Sequence, residues 1–319
     1  LYQRRLKMTD DFHALAESDF YKARSKAITT TIFGMLRPSM SDLMPFDQAK
    51  ELLKPKAETY RGITAVPINR IVGSEGRYRD FNRFFFPKKE HLKARWTGID
   101  ELQYKDISLP PVVLYEMGGV YFVRDGNHRV SVAKAKKQEF IDAEVISLQS
   151  EIQLDPEMTI EDIKKAVIEY EKRHFYKETN YPNIVGADDL NFSEPGRFDT
   201  IKEHVLVHKY FLNQHISEEI PFHVALYSWH DNVYQPISQA IEAENILSLF
   251  PGRTVSDLYL FLVAHWDELK RKLGRYVAID EAAESFKNQV KRNRNSTFEH
   301  ACRIFGSISK KVENFIAKL

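Results

Sequence analysis

The 319-residue chain has a single cysteine, Cys302, which excludes an intramolecular disulfide framework and a multi-cysteine zinc site. A reducing, cytoplasmic setting is the expectation that follows. Long apolar runs are missing too. The longest, Leu258 to Trp266, is broken by His265 and falls far short of the roughly 18–20 apolar residues of a membrane span. The stretch Leu1-Tyr2-Gln3-Arg4-Arg5-Leu6-Lys7 is basic without an apolar core and does not read as a signal peptide. Nor does one sign of charge dominate. The 46 Lys and Arg face 45 Asp and Glu, which argues against a basic nucleic-acid coat protein and an acidic disordered chain. No internal repeat or low-complexity tract is present. The 43% of hydrophobic residues suffices for the cores of one large or two ordinary domains.

Three stretches differ in pattern. Residues 1–60 read as a helical appendage. A helix over 9–37 carries Phe12, Leu15, Ala16, Phe20 and Ala23 at helical spacing and stops at Arg37-Pro38, and a short helix spans Phe46 to Leu53. Within 61–150 the period changes. Ile63 to Val72 is β-branched and reads as a strand, and Lys88 to Leu102 as a helix with Pro87 at its start. Val112–Glu116 and Val120–Arg124 read as strands around the turn Met117-Gly118-Gly119, followed by a helix, Asn127–Lys137, and a strand, Phe140–Leu148. From 151 to 319 helical periodicity dominates, interrupted by a connector at Asn180–Gly196. The expected fold class is α+β: a small mixed-sheet domain followed by a mainly α-helical domain.

The run that carries chemistry is Asp125-Gly126-Asn127-His128-Arg129. A strand delivers the chain to Asp125, Gly126 permits a sharp turn, and the next residues open a helix whose free N–H groups attract anions. His128 and Arg129 stand in that first turn, able to donate to phosphate oxygens, Arg129 as a planar fork. Val130, Val132 and Ala133 let the helix lie close to a sheet. The same residues also allow a plainer arrangement, in which Asp125 caps the helix and Arg129 pairs with it.

This run resembles the strand, Gly-x-x-Arg turn and helix that form the nucleotide phosphate site of the ParB/sulfiredoxin superfamily. The resemblance covers roughly 63–148, including Val66-Pro67-Ile68-Asn69-Arg70-Ile71, Leu109-Pro110-Pro111-Val112-Val113 and Ile141-Asp142-Ala143-Glu144-Val145. Asn127 stands where sulfiredoxins carry their reactive Cys, so that thiol chemistry is absent. The Asp-Gly-His-His-Arg of the free-serine kinases matches here at four of five positions. By that resemblance Asp125, His128 and Arg129 touch the phosphates of a nucleotide, ATP, ADP or CTP, and its Mg²⁺; Gly126 and Asn127 complete the phosphate-binding turn, and Asp125 and His128 are candidate catalytic residues. Glu75 falls near the place of a kinase glutamate, where it would act as base or hold Mg²⁺ through water. The implied activity is Mg²⁺-dependent nucleotide hydrolysis or phosphoryl transfer to a small molecule. The alternative is a ParB-like DNA-binding regulator or nuclease.

Residues 66–96 carry a net charge of +5, with Tyr78, Phe81, Phe84, Phe85, Phe86 and Trp96 interleaved. That mixture suits a stacked base, or DNA, as well as a buried aromatic cluster with solvated cations. Arg77 is the second candidate phosphate ligand. In the helical half, His204 and His208 share a helix face, and their structural use outweighs metal binding. This half also resembles an uncharacterised bacterial helical family through Glu194–Phe198, Ala225–Pro236 and Phe250–Tyr259. Asp231, Tyr234, Arg253, Asp257 and His265 are expected either to close a buried hydrogen-bond network or to line a pocket, the network being favoured. The series Phe298, Cys302, Phe305, Ile308, Val312, Phe315, Ile316 is amphipathic and suits homo-oligomer formation through C-terminal helices.

Overall fold

The computed structural model describes residues 2–34, 42–214 and 218–293. The stop at Arg37-Pro38 and the amphipathic series from Phe298 to Ile316 lie outside the described residues. The chain is α+β, and two compact units meet at Val167/Ile168.

The first unit is built on one six-stranded mixed sheet. Its strands are β1 (Met44–Pro45), β2 (Glu58–Pro67), β3 (Ile71–Ser74), β4 (Val112–Met117), β5 (Val120–Asp125) and β6 (Phe140–Leu148), in the order β1-β3-β5-β4-β6-β2. Residues 63–72, expected as one strand, are divided. A 3-10 turn at Ile68–Arg70 follows Pro67, and the two halves enter the sheet far apart. Pro67 lacks the N–H that a continuing ladder needs, so the strand ends there. The expected helix over 88–102 starts later, as α3 (Lys93–Tyr104), preceded by a 3-10 turn at Glu90–Leu92.

Strand alternation separates two layers of core. On one face Val66, Ile71, Leu114, Val123 and Val145 meet Phe20 and Ala23 of α1 (Tyr2–Gly34), Trp96 of α3, and Val130 and Ala133 of α4 (Asn127–Ala135). Trp96 Nε1 donates to Ser131 Oγ at 2.9 Å, tying α3 to α4. On the other face Val72, Phe122 and Leu148 meet Phe46, Ala49 and Leu53 of α2 (Phe46–Leu53), and Ile163 and Val167 of α5 (Ile160–Thr179).

The second unit is helical: the rest of α5, α6 (Tyr181–Val185), α7 (Arg197–Asn213), α8 (Phe222–Trp229), α9 (Gln235–Ala243), α10 (Val255–Leu273) and α11 (Ile279–Asn293). The short α6 lies inside the expected connector. A π-helical turn, His230–Tyr234, joins α8 to α9. The polar groups among its aromatics form the favoured network. His230 Nε2 and Tyr181 Oη both donate to Asp189, at 3.0 and 2.6 Å. Tyr234 Oη lies 2.8 Å from Ser256 Oγ. Asp257 accepts from Thr254 N at 3.0 Å while Thr254 Oγ1 accepts from Asp257 N, a reciprocal cap on α10. Arg253 donates to Ser193 and Glu194, and His265 meets Ser285. Asp231 is exposed and stands apart from these bonds.

Candidate functional site

The parallel pairs β1·β3 and β3·β5 bring three strand ends to one edge. Pro45 pairs with Ser74, and Ser74 with Val123. The loop that begins at Glu75 therefore leaves the sheet beside the turn from β5 into α4. Glu75 N donates to Val123 O at 2.9 Å and locks the two exits together. Ligands of sheets with parallel strands collect at such carboxyl ends.

Gly126 makes the turn, with φ 102° and ψ 21°. A Cβ there would come within 2.6 Å of Val112 Cγ1. The residue has neither an alternative conformation nor room. Having no side chain, it leaves the first N–H groups of α4 without a side-chain cap. Asn127 and His128 follow, each 6% exposed. Asn127 Oδ1 and His128 Nδ1 are buried without a hydrogen-bond partner, an expensive condition for groups of this kind.

The His128 ring packs edge-on against Phe81, with centroids 5.4 Å apart. Burial pushes its pKa down to about 4, and the cations of Arg95 and Arg77 push the same way against the opposing charge of Asp80. The imidazole is thus neutral at pH 7, in a positive field, with one ring nitrogen unused. Arg77 meets Asp80 at 3.2 Å and Lys89 meets the same carboxylate at 2.8 Å. Burial raises the Asp80 pKa, while Lys89 and Arg77 overcome that and leave it below the ordinary value.

The structure therefore brings Arg77 into the electrostatic surroundings of His128. Glu75 is exposed, and its charge is felt at Tyr115, whose hydroxyl it helps to hold above the ordinary pKa after burial. Arg129 takes the plainer arrangement. Its Nη1 donates to Pro110 O at 2.5 Å and Pro111 O at 2.9 Å, and its Nη2 to Asp125 Oδ2 at 2.5 Å. The fork clasps the approach to β4 onto the β5–α4 turn and shapes the corner from behind. Lysine cannot span three acceptors in this way. Arg129→Lys is expected to cost about 1–2 kcal/mol of stability, read from the urea midpoint.

The basic segment is largely committed elsewhere. Phe81, Phe85 and Trp96 are fully buried in the core, and Phe84 is the exposed aromatic of the group. Arg83 pairs with Glu157, Lys88 with Asp42 and Lys93 with Glu17. In the helical unit His204 Nδ1 lies 3.0 Å from Tyr259 Oη and His208 Nε2 lies 3.0 Å from Ser228 Oγ, the structural use expected of them. Among the described residues no group of three or more His, Cys, Asp or Glu could hold a metal ion. No described helix is long and apolar enough to cross a membrane. One residue that sequence reasoning missed is Lys134, seven positions beyond Asn127 on α4 and largely buried at its amine; a lone lysine near a helix end gives no signal of burial. Comparison with protein-family models, with curated proteins and with solved structures finds no match to this chain.

Proposed function

We propose that the β5–α4 corner binds the phosphates of a nucleotide, and that the protein hydrolyses or transfers a terminal phosphoryl group. The observation that carries this reading is the pair of buried, unpartnered atoms, Asn127 Oδ1 and His128 Nδ1, in the uncapped first turn of α4. A phosphate oxygen accepts from those backbone N–H groups and from His128, in the field of Arg77 and Arg95. Asn127 Oδ1 needs a donor, such as a ligand hydroxyl or a metal-bound water. Magnesium fits only as an ion shared with phosphates, taking one or two carboxylates from the protein. Asp125 and Glu75, both exposed at adjoining strand ends, are the carboxylates on hand. With Mg²⁺ bound, the ion would supply charge neutralisation on the phosphates. The resemblance to the free-serine kinases in Asp125-Gly126-Asn127-His128-Arg129 supports the same reading.

A thermal-shift panel of ATP, ADP, CTP and GTP, with and without Mg²⁺, tests it. At least one nucleotide is expected to raise the melting temperature by mass action. His128→Ala is then expected to weaken that nucleotide by about ten- to a hundredfold in calorimetry, as for a lost charge-assisted hydrogen bond. Phosphate beside the ring also raises the His128 pKa, so binding tightens as pH falls from 7 toward 5. If no nucleotide shifts the melting temperature at millimolar concentration, the reading fails.

A further inference from the structure

A cavity of about 1030 Å³ lies in the first unit, at the other end of α4 from the phosphate corner. The start of β3, the loop around 78–86, the last turns of α4 and residues 156–161 line it. Its size matches that of small-molecule sites. Tyr78, Phe84 and Phe86 supply aromatic wall, and Lys134 and Arg83 supply the inner polar groups. Glu139, Phe140, Glu157 and Glu161 are exposed lining residues.

Lys134 is placed unusually for a lysine. Its Nζ donates to the backbone oxygen of Ile71 at 2.7 Å and sits 4.7 Å from the centroid of the Phe85 ring. Neither partner is anionic, and among the described residues no carboxylate forms an ion pair with it. Arg83, 12% exposed, is held by Pro156 O at 3.2 Å and Glu157 at 3.1 Å. Burial first, and the Arg83 cation second, lower the Lys134 pKa to about 8, against a smaller opposing pull from the Glu157 carboxylate. Near neutral pH the free amine is therefore a far larger share of Lys134 than of an ordinary exposed lysine.

We propose that this cavity is a second ligand site, in which Lys134 is a nucleophilic amine and Arg83 receives the acid group of a small aldehyde or ketone. The neutral amine attacks the carbonyl carbon and forms a carbinolamine. Loss of water from it leaves a C=N bond to Nζ, reversibly and with no change of oxidation state. Arg83 exchanges the exposed Glu157 for the ligand's phosphate or carboxylate, which a guanidinium takes in a planar fork. The site is about 10 Å along the helix from Asn127 and does not depend on what binds there.

The probe is pyridoxal 5′-phosphate followed by borohydride reduction, with the modified lysines mapped by mass spectrometry. Lys134 is expected to label at least about tenfold faster than the exposed Lys22 and Lys272, with a pH midpoint near 8. Lys134→Arg, which retains a donor for the Ile71 oxygen, should remove that adduct while the protein stays folded by circular dichroism. Arg83→Gln should slow Lys134 labelling by pyridoxal 5′-phosphate and leave labelling by uncharged pyridoxal unaltered. Labelling of Lys134 no faster than Lys22, or with a midpoint near 10.5, overturns the proposal and leaves the lysine a strut between α4 and β3. Equal slowing of both aldehydes by Arg83→Gln overturns the role of Arg83.

Discussion

Gly126→Ala is expected to lower the unfolding free energy by about 3 kcal/mol, the sum of two costs of similar size. The left-handed conformation, at φ 102°, costs an L-residue about 1–2 kcal/mol. The new Cβ would also meet Val112 Cγ1 at 2.6 Å, Val112 Cβ at 3.0 Å and Arg129 Nε at 3.1 Å. Val112 is 1% exposed and packed in the same core as Leu114 and Val130, so it cannot retreat. Overpacking of that kind costs about 1–3 kcal/mol. Gly62 supplies the control. Its φ is 78°, but a Cβ there would meet nothing within 4 Å, so Gly62→Ala carries the conformational cost alone. Urea midpoints of the two variants separate the terms. A Gly126→Ala midpoint no lower than that of Gly62→Ala would mean that the corner is not closed around Val112. The variant should also lose nucleotide binding, since the first turn of α4 has to move to make room.

Acid is expected to destabilise both units between pH 6.5 and 4, a loss that begins well above the range in which most carboxylates titrate. His128 in the first unit and His204 in the second both have a pKa lowered from 6.5 to about 4, chiefly by burial. In the unfolded chain each binds a proton near pH 6.5. Folded, each refuses it until about pH 4. Between those values the unfolded state carries more protons, so stability is fully present above pH 6.5 and drains away as pH falls. Each group is worth on the order of 3 kcal/mol across that window. The surroundings explain why neither ring yields early. His128 faces Arg95, Arg77 and His91, against a single opposing Asp80. The Tyr259 oxygen near His204 Nδ1 already accepts from Trp229 Nε1 at 3.1 Å, so its own proton is directed at the ring. Ring-proton NMR gives the direct measurement: neither histidine should titrate above about pH 5. In urea titrations from pH 7 to 4, His128→Phe and His204→Phe should each flatten the loss in their own unit. A pKa near 6 for either ring would remove its share of the effect.

Parts of this molecule were open to reading in one dimension. The strands around Met117-Gly118-Gly119, the strand Phe140–Leu148 and the helix opening at Asn127 come from residues that are neighbours in the chain. Their β-branched runs, turn glycines and periodicity act locally. The helix Phe46–Leu53 was legible for the same reason. The division of 63–72 was not. Nothing in Val66-Pro67-Ile68-Asn69-Arg70 reveals that β2 pairs with β6 at one edge of the sheet while β3 pairs with β5 toward the other. The π turn at His230–Tyr234 was equally hidden, since its residues suit an ordinary helix.

The candidate site divides along the same line. Gly126, the uncapped helix start and the cationic character of the segment before it follow from residue types, because chirality and charge belong to the residue. The work of each side chain does not. Arg129 became a clasp because the carbonyls of Pro110 and Pro111 arrive beside it from another strand. His128 became a neutral ring with an unpartnered Nδ1 because Phe81 packs against it, burial desolvates it and the Arg95 cation acts on it. Lys134 lost the solvent that a lysine on an isolated helix would keep, because the start of β3, 63 residues earlier in the chain, lies against it. Local order along the chain suffices for secondary structure and for the turn. Desolvation and hydrogen-bond partnership depend on which distant segments meet, and they assign the chemistry.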